Sequence, residues 1–212
     1  MLRVNEIFYS IQGESRASGL PCVFVRLSGC NLRCSYCDTR HAWDGGMDMT
    51  GEQVLERVGF YGCRRVAITG GEPLLQPDAP RLAAALLREG YAVLLETNGS
   101  KDISALPDGV VRIVDIKCPG SGESGRMDWK NLGRLRADDE VKFVLCGETD
   151  YDWARDTVLE NALIEKAAVL FSPVSGQLHP ACLAEWMLRD RLDVRLQLQL
   201  HKILWPSAEQ GH

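Results

Sequence analysis

Three cysteines stand within eight residues, Cys30-Asn31-Leu32-Arg33-Cys34-Ser35-Tyr36-Cys37, in the spacing Cys-x3-Cys-x2-Cys. No fourth cysteine lies close by; Cys22, Cys63, Cys118, Cys146 and Cys182 are scattered singly. Three neighbouring thiolates suit an iron–sulfur cluster, for which thiolate is the standard protein ligand. A cluster that needs four ligands and receives three keeps one iron open to an outside molecule. A catalytic zinc keeps a position open by the same logic, where a structural zinc has it filled. The alternatives are a zinc site completed by a distant His or Cys, or buried free thiols. Zinc motifs usually arrive as two pairs, and no second Cys-x2-Cys exists here.

The chain around this motif reads as one domain, residues 1–212, with no repeat, low-complexity tract or separating linker. That length buries a substantial core. Apolar, β-rich runs recur at 22–28, 65–69, 91–96, 110–116, 140–145, 168–172 and 194–200. Several are continuous rather than alternating, the pattern of buried parallel strands. Thr50 with Gln53 forms a capping box for a helix near 51–60. Asp78 and Pro80 open a second helix that Gly90 closes. The stretch 151–166 reads as a longer amphipathic helix and 180–191 as a fourth. Between strands, 100–109 is too short for a helix, and 118–128, rich in Gly and Ser, reads as a mobile loop. Six or seven strands with three or four helices fall short of an eight-fold barrel. The expected fold is α/β, an abbreviated, incomplete (β/α) barrel with fewer helices than strands and functional loops at the strands' carboxyl ends. In the last run Val194, Leu196, Leu198 and Leu200 alternate with polar residues, which predicts a strand with one wet face and His201 at its end.

A formal net charge of −5 argues against a general nucleic-acid binder. No apolar stretch approaches a membrane span, and the first residues lack the apolar core of a signal peptide. Singly scattered cysteines fit a reducing cytosol, so the expected location is cytoplasmic.

The cysteine motif resembles that of radical S-adenosylmethionine (SAM) enzymes, with an aromatic residue, Tyr36, before the third cysteine and a strand-like run, 22–28, before the motif. Val66-Ala67-Ile68-Thr69-Gly70-Gly71-Glu72-Pro73 resembles that superfamily's second signature. The resemblance implies a 4Fe–4S cluster held by Cys30, Cys34 and Cys37, and glycines that let backbone approach the methionine end of SAM.

Within the superfamily the chain resembles the 7-carboxy-7-deazaguanine synthases nearly end to end. The matching stretches are Ile7 to Ser15, Phe24 to Leu32, Cys37-Asp38-Thr39, Glu96-Thr97-Asn98-Gly99, Asp115-Ile116-Lys117-Cys118-Pro119 and Gln199 to Trp205. The tail after Pro206 departs from expectation. The resemblance implies that 6-carboxy-5,6,7,8-tetrahydropterin loses hydrogen to a 5′-deoxyadenosyl radical, contracts its ring and loses ammonia, with Mg2+ binding the substrate carboxylate. It implies SAM contacts from Tyr36, Gly70, Gly71 and Glu72, and further candidates in Asn98, Lys117 and Ser172. Tyr36 as a core aromatic and Glu96 with Asn98 as plain turn chemistry remain open. Asn31 receives no role.

For the pterin the candidates are Gln12, Gly13, Glu14, Arg26, Thr69 and His201. Arg26 interrupts an apolar run, and a buried arginine needs a partner, from ligand or protein. Thr39 is the candidate for Mg2+, an ion suited to oxygen ligands and retained waters; the alternative is a hydroxyl capping a turn. A homodimer served by a flavodoxin or ferredoxin completes the expectation. Two rivals are a glycyl-radical activase, for which no insert lies between Cys37 and Val66, and a cluster-based sensor. The sensor would not need Gly70–Glu72 or the Gln12–Glu14 motif.

Overall fold

The computed structural model describes residues 1–206; the tail 207–212, singled out above, lies outside the described residues. Among the described residues nine strands form one sheet: β1 (Leu2–Ile11), β2 (Pro21–Leu27), β3 (Met47–Met49), β4 (Arg65–Gly70), β5 (Ala92–Thr97), β6 (Val111–Lys117), β7 (Glu140–Leu145), β8 (Ala168–Pro173) and β9 (Arg195–Leu196). Their spatial order is β3-β1-β2-β4-β5-β6-β7-β8-β9. From β2 to β9 every pairing is parallel, while β1 joins β2 and β3 antiparallel. The α-helices are α1 (Gly51–Gly59), α2 (Ala79–Arg88), α3 (Glu148–Glu160), α4 (Leu163–Lys166), α5 (Pro180–Arg189) and α6 (Leu200–Leu204). The expected α/β architecture, with fewer helices than strands, is the one found.

Local chemistry explains the elements. At α1 the capping box forms: Gln53 N donates to Thr50 Oγ1 at 3.2 Å and Thr50 N donates to Gln53 Oε1 at 2.8 Å. Its Val54 and Val58 fall on one face and are buried. Pro80 sits in the first turn of α2, which buries Ala79, Leu82, Ala83 and Leu86. Asp78 precedes α2 without capping it; its carboxylate instead takes the Met1 amine at 2.7 Å.

The strands' period of two divides the core. Val23, Val25, Val66, Ile68, Val93 and Leu95 pack beneath α1 and α2. The alternate residues Cys22, Phe24, Ala67, Leu94 and Ile113 form a separate cluster on the other face. Continuing along that inner face toward the carboxyl ends, apolar residues give way to Arg26, Thr69, Glu96, Asp115, Lys117 and Lys142. The register holds these together, pairing Arg26 with Thr69 and Asp115 with Lys142. The sheet is strongly curled. Glu14, just after β1, meets Lys142 of β7 at 2.7 Å, although four strands stand between β1 and β7 in the sheet. In a flat sheet those strands would be ~24 Å apart.

Several expectations need correction. β1 and β3 were not anticipated. The stretch 151–166 is two helices, because Ala162 adopts a left-handed conformation, φ 48°. The segment 118–128 holds two 3-10 turns, Pro119–Ser121 and Ser124–Arg126, with Ser121 buried. The final strand shrinks to Arg195–Leu196, and His201 lies in α6 rather than at a strand end. Its alternation also fails: Gln197 is buried at 5% exposure and Leu198 is exposed at 36%.

Candidate active site

A cavity of about 510 Å3 opens at the carboxyl ends of the parallel strands. It is walled by the cysteine loop, the Gly-Gly turn, the loop after β1 and the segment 199–206. Of the residues expected from sequence, it brings together Gln12, Gly13, Glu14, Arg26, Cys30, Cys34, Tyr36, Cys37, Thr39, Thr69, Gly70, Gly71, Asn98, Lys117 and His201. Glu72 and Ser172 stand outside its lining.

The cysteine loop leaves β2 and is fastened from several sides. Gly29 N donates to Ala42 O at 2.9 Å and Glu72 N to Gly29 O at 2.8 Å. Ser35 N reaches Ser121 O at 3.0 Å, and Arg33 N reaches Glu123 Oε1 at 2.7 Å. The 118–128 segment thus clamps the loop. The glycines of the second motif have a structural necessity of their own. A Cβ at Gly70, φ 140°, would strike the Leu27 backbone, and one at Gly71 would strike Gly29 and Cys30. Their freedom lets this turn pass beneath the cysteine loop.

The three cysteines line one wall. Among the described residues no three His, Cys, Asp or Glu side chains are grouped to hold a single metal ion. Three thiols lining one cavity fit a multi-iron cluster, in which thiolates bind different irons. Burial pushes the Cys34 thiol up to about 11, so loading a metal there must release a proton.

Glu72 is fully buried. It accepts from Thr97 Oγ1 at 2.9 Å, Asn98 N at 2.6 Å and Leu74 N at 2.9 Å. Its carboxylate therefore holds the turn after β5, with both oxygens engaged by protein donors. Burial pushes its pKa up. Ser172 lies on the inner face of β8, 1% exposed, and Ser175 lines the cavity in its place. Tyr36 lines the cavity while its hydroxyl donates to Val144 O at 3.3 Å. Lys117 Nζ pairs with Asp115 Oδ2 at 2.8 Å. Burial works against the Lys117 charge, but Asp115 and Cys34 outweigh it and raise its pKa.

Elsewhere in the lining, Gln12 is 2% exposed and its Nε2 has no partner among the described residues. A buried donor of this kind calls for an acceptor. Gly13 packs on His201, whose ring a Cβ would strike, and Leu200 N donates to Gly13 O at 2.9 Å. Arg26 finds a protein partner: Nε donates to Glu6 Oε1 at 2.6 Å, and the guanidinium lies over Phe8. Thr69 Oγ1 donates to Glu96 Oε2 at 3.2 Å. Burial drives the Glu14 carboxyl up, but Lys142 and Gln199 outweigh it, leaving Glu14 below its usual range. Glu96 is raised by burial, which Lys142 only partly offsets.

A radical SAM superfamily model matches residues 24–116. The 7-carboxy-7-deazaguanine synthase of Chlorobaculum tepidum is 44% identical over 213 residues, covering 99% of this chain and 97% of that protein. The synthase of Koribacter versatilis is 41% identical, covering 99% and 100%. The chain belongs to the 7-carboxy-7-deazaguanine synthase family. The crystal structure of QueE from Escherichia coli shares the fold, with a TM-score of 0.75, 24% identity and 94% of both chains covered.

Sequence reasoning about this synthase-family chain missed Asp38, Asp115, Lys142, Gln199 and Lys202 as lining residues. Lys142 carried a signal, since it interrupts an apolar run as Arg26 does. Asp38, Gln199 and Lys202 form a clasp. Lys202 Nζ meets Asp38 Oδ2 at 2.7 Å, and Gln199 Nε2 donates to Asp38 at 3.2 Å and Glu14 at 2.9 Å. The segment 199–202 thereby joins the cysteine loop to the loop after β1.

Proposed function

We propose that this chain converts 6-carboxy-5,6,7,8-tetrahydropterin to 7-carboxy-7-deazaguanine by ring contraction with loss of ammonia, on the route to queuosine. One observation carries the reading. A single cavity brings three cysteines together with Gln12, Glu14, Arg26 and His201, in a chain that matches 7-carboxy-7-deazaguanine synthases over nearly its whole length. When bound, a 4Fe–4S cluster and SAM supply the radical chemistry of such a reaction. Cys30, Cys34 and Cys37 would hold the cluster. Tyr36, Gly70, Gly71, Asn98 and Lys117 would form the SAM wall.

The remaining residues orient the pterin and exclude water. Gln12 offers an unused N–H, and Glu14, kept ionised by Lys142, offers an acceptor to a ring N–H. Glu6 fixes the Arg26 Nε, leaving the Nη groups for the substrate carboxylate. His201 is held against Gly13 and closes the site from α6. Arg26→Ala or His201→Ala should lower product formation roughly tenfold to a hundredfold, the worth of a hydrogen bond to a charged group. Slow SAM cleavage without substrate should fall less. Equal losses in both assays would make these residues structural.

The magnesium proposal places Thr39 as an oxygen ligand. Thr39 lines the cavity, and its Oγ1 donates to Asp38 Oδ1 at 3.0 Å. An ion shared by Thr39 and the substrate carboxylate would need few protein ligands, as is usual for Mg2+. Thr39→Val should raise the Mg2+ concentration needed for turnover and leave cluster content unchanged; a parent-like Mg2+ response would sink the assignment. A homodimer fed by a flavodoxin or ferredoxin belongs to the same proposal, as does a cytoplasmic location, which the free cysteines suit. No described helix is long and apolar enough to cross a membrane.

The deciding experiment is the complete anaerobic reaction with the carboxy-tetrahydropterin, SAM, Mg2+ and dithionite, product read by mass. SAM cleavage without the deazaguanine mass would overturn the substrate assignment.

A further inference from the structure

Asn31, to which the sequence assigns no role, belongs to a closed ring of hydrogen bonds around Cys30. Asn98 Nδ2 donates to Asn31 Oδ1 at 3.1 Å. Asn31 Nδ2 donates to Ser100 Oγ at 2.8 Å, and Ser100 Oγ donates to Asn98 Oδ1 at 2.6 Å. The orientation of the Asn98 amide is decided within the ring. Ser100 N, which can only donate, lies 3.0 Å from Asn98 Oδ1, so that atom is the oxygen and the NH2 group faces the other way. There it meets Cys30 Sγ at 3.8 Å. Leu32 N, at 3.5 Å, is a second donor to the same sulfur. Beneath the ring, buried Glu72 fixes Asn98 through its backbone N–H. Asn98 is only 6% exposed, so water competes little for the amide.

We propose that Asn98 sets the reduction potential of the cluster by donating an N–H to the Cys30 thiolate, with Asn31 and Ser100 aiming the amide. The proposal rests on the cluster reading above and assigns Asn98 a positioning role distinct from SAM contact. One-electron reduction adds negative charge to a cluster and its thiolates. A fixed donor at a ligand sulfur favours that state and raises the potential. The buried Glu72 carboxylate serves the same ring: it anchors the backbone that carries the donor.

The test uses the full chain reconstituted anaerobically, with iron and sulfide counted first. The parent, Asn98→Ala, Asn98→Asp and Ser100→Ala are titrated with dithionite and mediators, without SAM or substrate. The reduced fraction is read by electron paramagnetic resonance. At the parent's midpoint, Asn98→Ala should show a reduced-to-oxidised ratio about tenfold lower, equivalent to 59 mV for a one-electron couple. Asn98→Asp should fall further, because a carboxylate oxygen then faces the thiolate. Ser100→Ala should move less, in the same direction. Asn98 variants with a full cluster and the parent's midpoint would overturn the proposal. If neither Asn98 variant retains a cluster, Ser100→Ala decides, a lowered midpoint supporting the proposal and an unmoved one overturning it. A parent that takes up no 4Fe–4S cluster would overturn the cluster reading itself.

Discussion

Alanine in place of Cys30, Cys34 or Cys37 is expected to bring iron, sulfide and 5′-deoxyadenosine formation to background after anaerobic reconstitution. The effect is all-or-none because a three-thiolate site already lacks a fourth protein ligand, and a two-thiolate site has little left to hold the cluster. Cys63→Ala and Cys182→Ala provide the contrast. Cys63 Sγ sits near Pro21 O at 3.4 Å, away from the cavity lining, and Cys182 is exposed on α5. Both variants should keep the parent's iron content and SAM cleavage. Full iron and turnover in Cys30→Ala would remove the basis for the whole functional reading.

The two motifs could be read from the sequence because their chemistry is local. Cys30 to Cys37 and Gly70 to Pro73 each occupy one short connecting segment, where spacing largely fixes which residues are near one another. The parallel strands were equally legible, since β4, β5 and β8 carry continuous apolar runs and β6 and β7 are apolar runs broken by single charges. β1 was not, because Glu6, Tyr9 and Ser10 break its apolar pattern and it lies antiparallel near the sheet edge. The segment 194–200 misled for the opposite reason. Its alternation is regular, but the chain pairs only at Arg195–Leu196 and then turns into α6, so tertiary packing overrides the period. Glu72 shows a further limit. Its motif did not reveal that the fold surrounds its carboxylate with donors from β5 and the following turn. Partnerships between distant segments, Glu14 with Lys142 or Asp38 with Lys202, depend on the curl of the sheet and leave no spacing in the chain.

Lys142→Met is expected to cost ~3–5 kcal/mol of stability at neutral pH, the usual consequence of removing one partner from a buried ion pair. Set against a typical domain stability of ~5–15 kcal/mol, that is a large fraction. Lys142 is 7% exposed and lies 2.7 Å from Glu14 and 3.6 Å from Asp115. Burial disfavours its charge, yet Glu14, Asp115 and Glu96 outweigh that and hold its pKa well above the usual value. The pH dependence follows from Glu14. In the parent its folded pKa lies below the usual 4.5, so its contribution is complete above that value and lost as pH falls through the folded pKa. Without Lys142, burial acts with little opposition and the Glu14 pKa should rise above its unfolded value. The variant then loses stability as pH climbs from the unfolded toward the raised folded pKa. The deficit should accordingly be small near pH 4 and largest near pH 8, read as urea midpoints of parent and variant across that range. Adding Glu14→Gln to Lys142→Met removes the stranded charge and should recover part of the loss at pH 8 but little at pH 4. A deficit independent of pH would mean that Lys142 acts through packing of its alkyl chain, and the electrostatic bridge from β7 to the loop after β1 would not be what holds the barrel closed over the site.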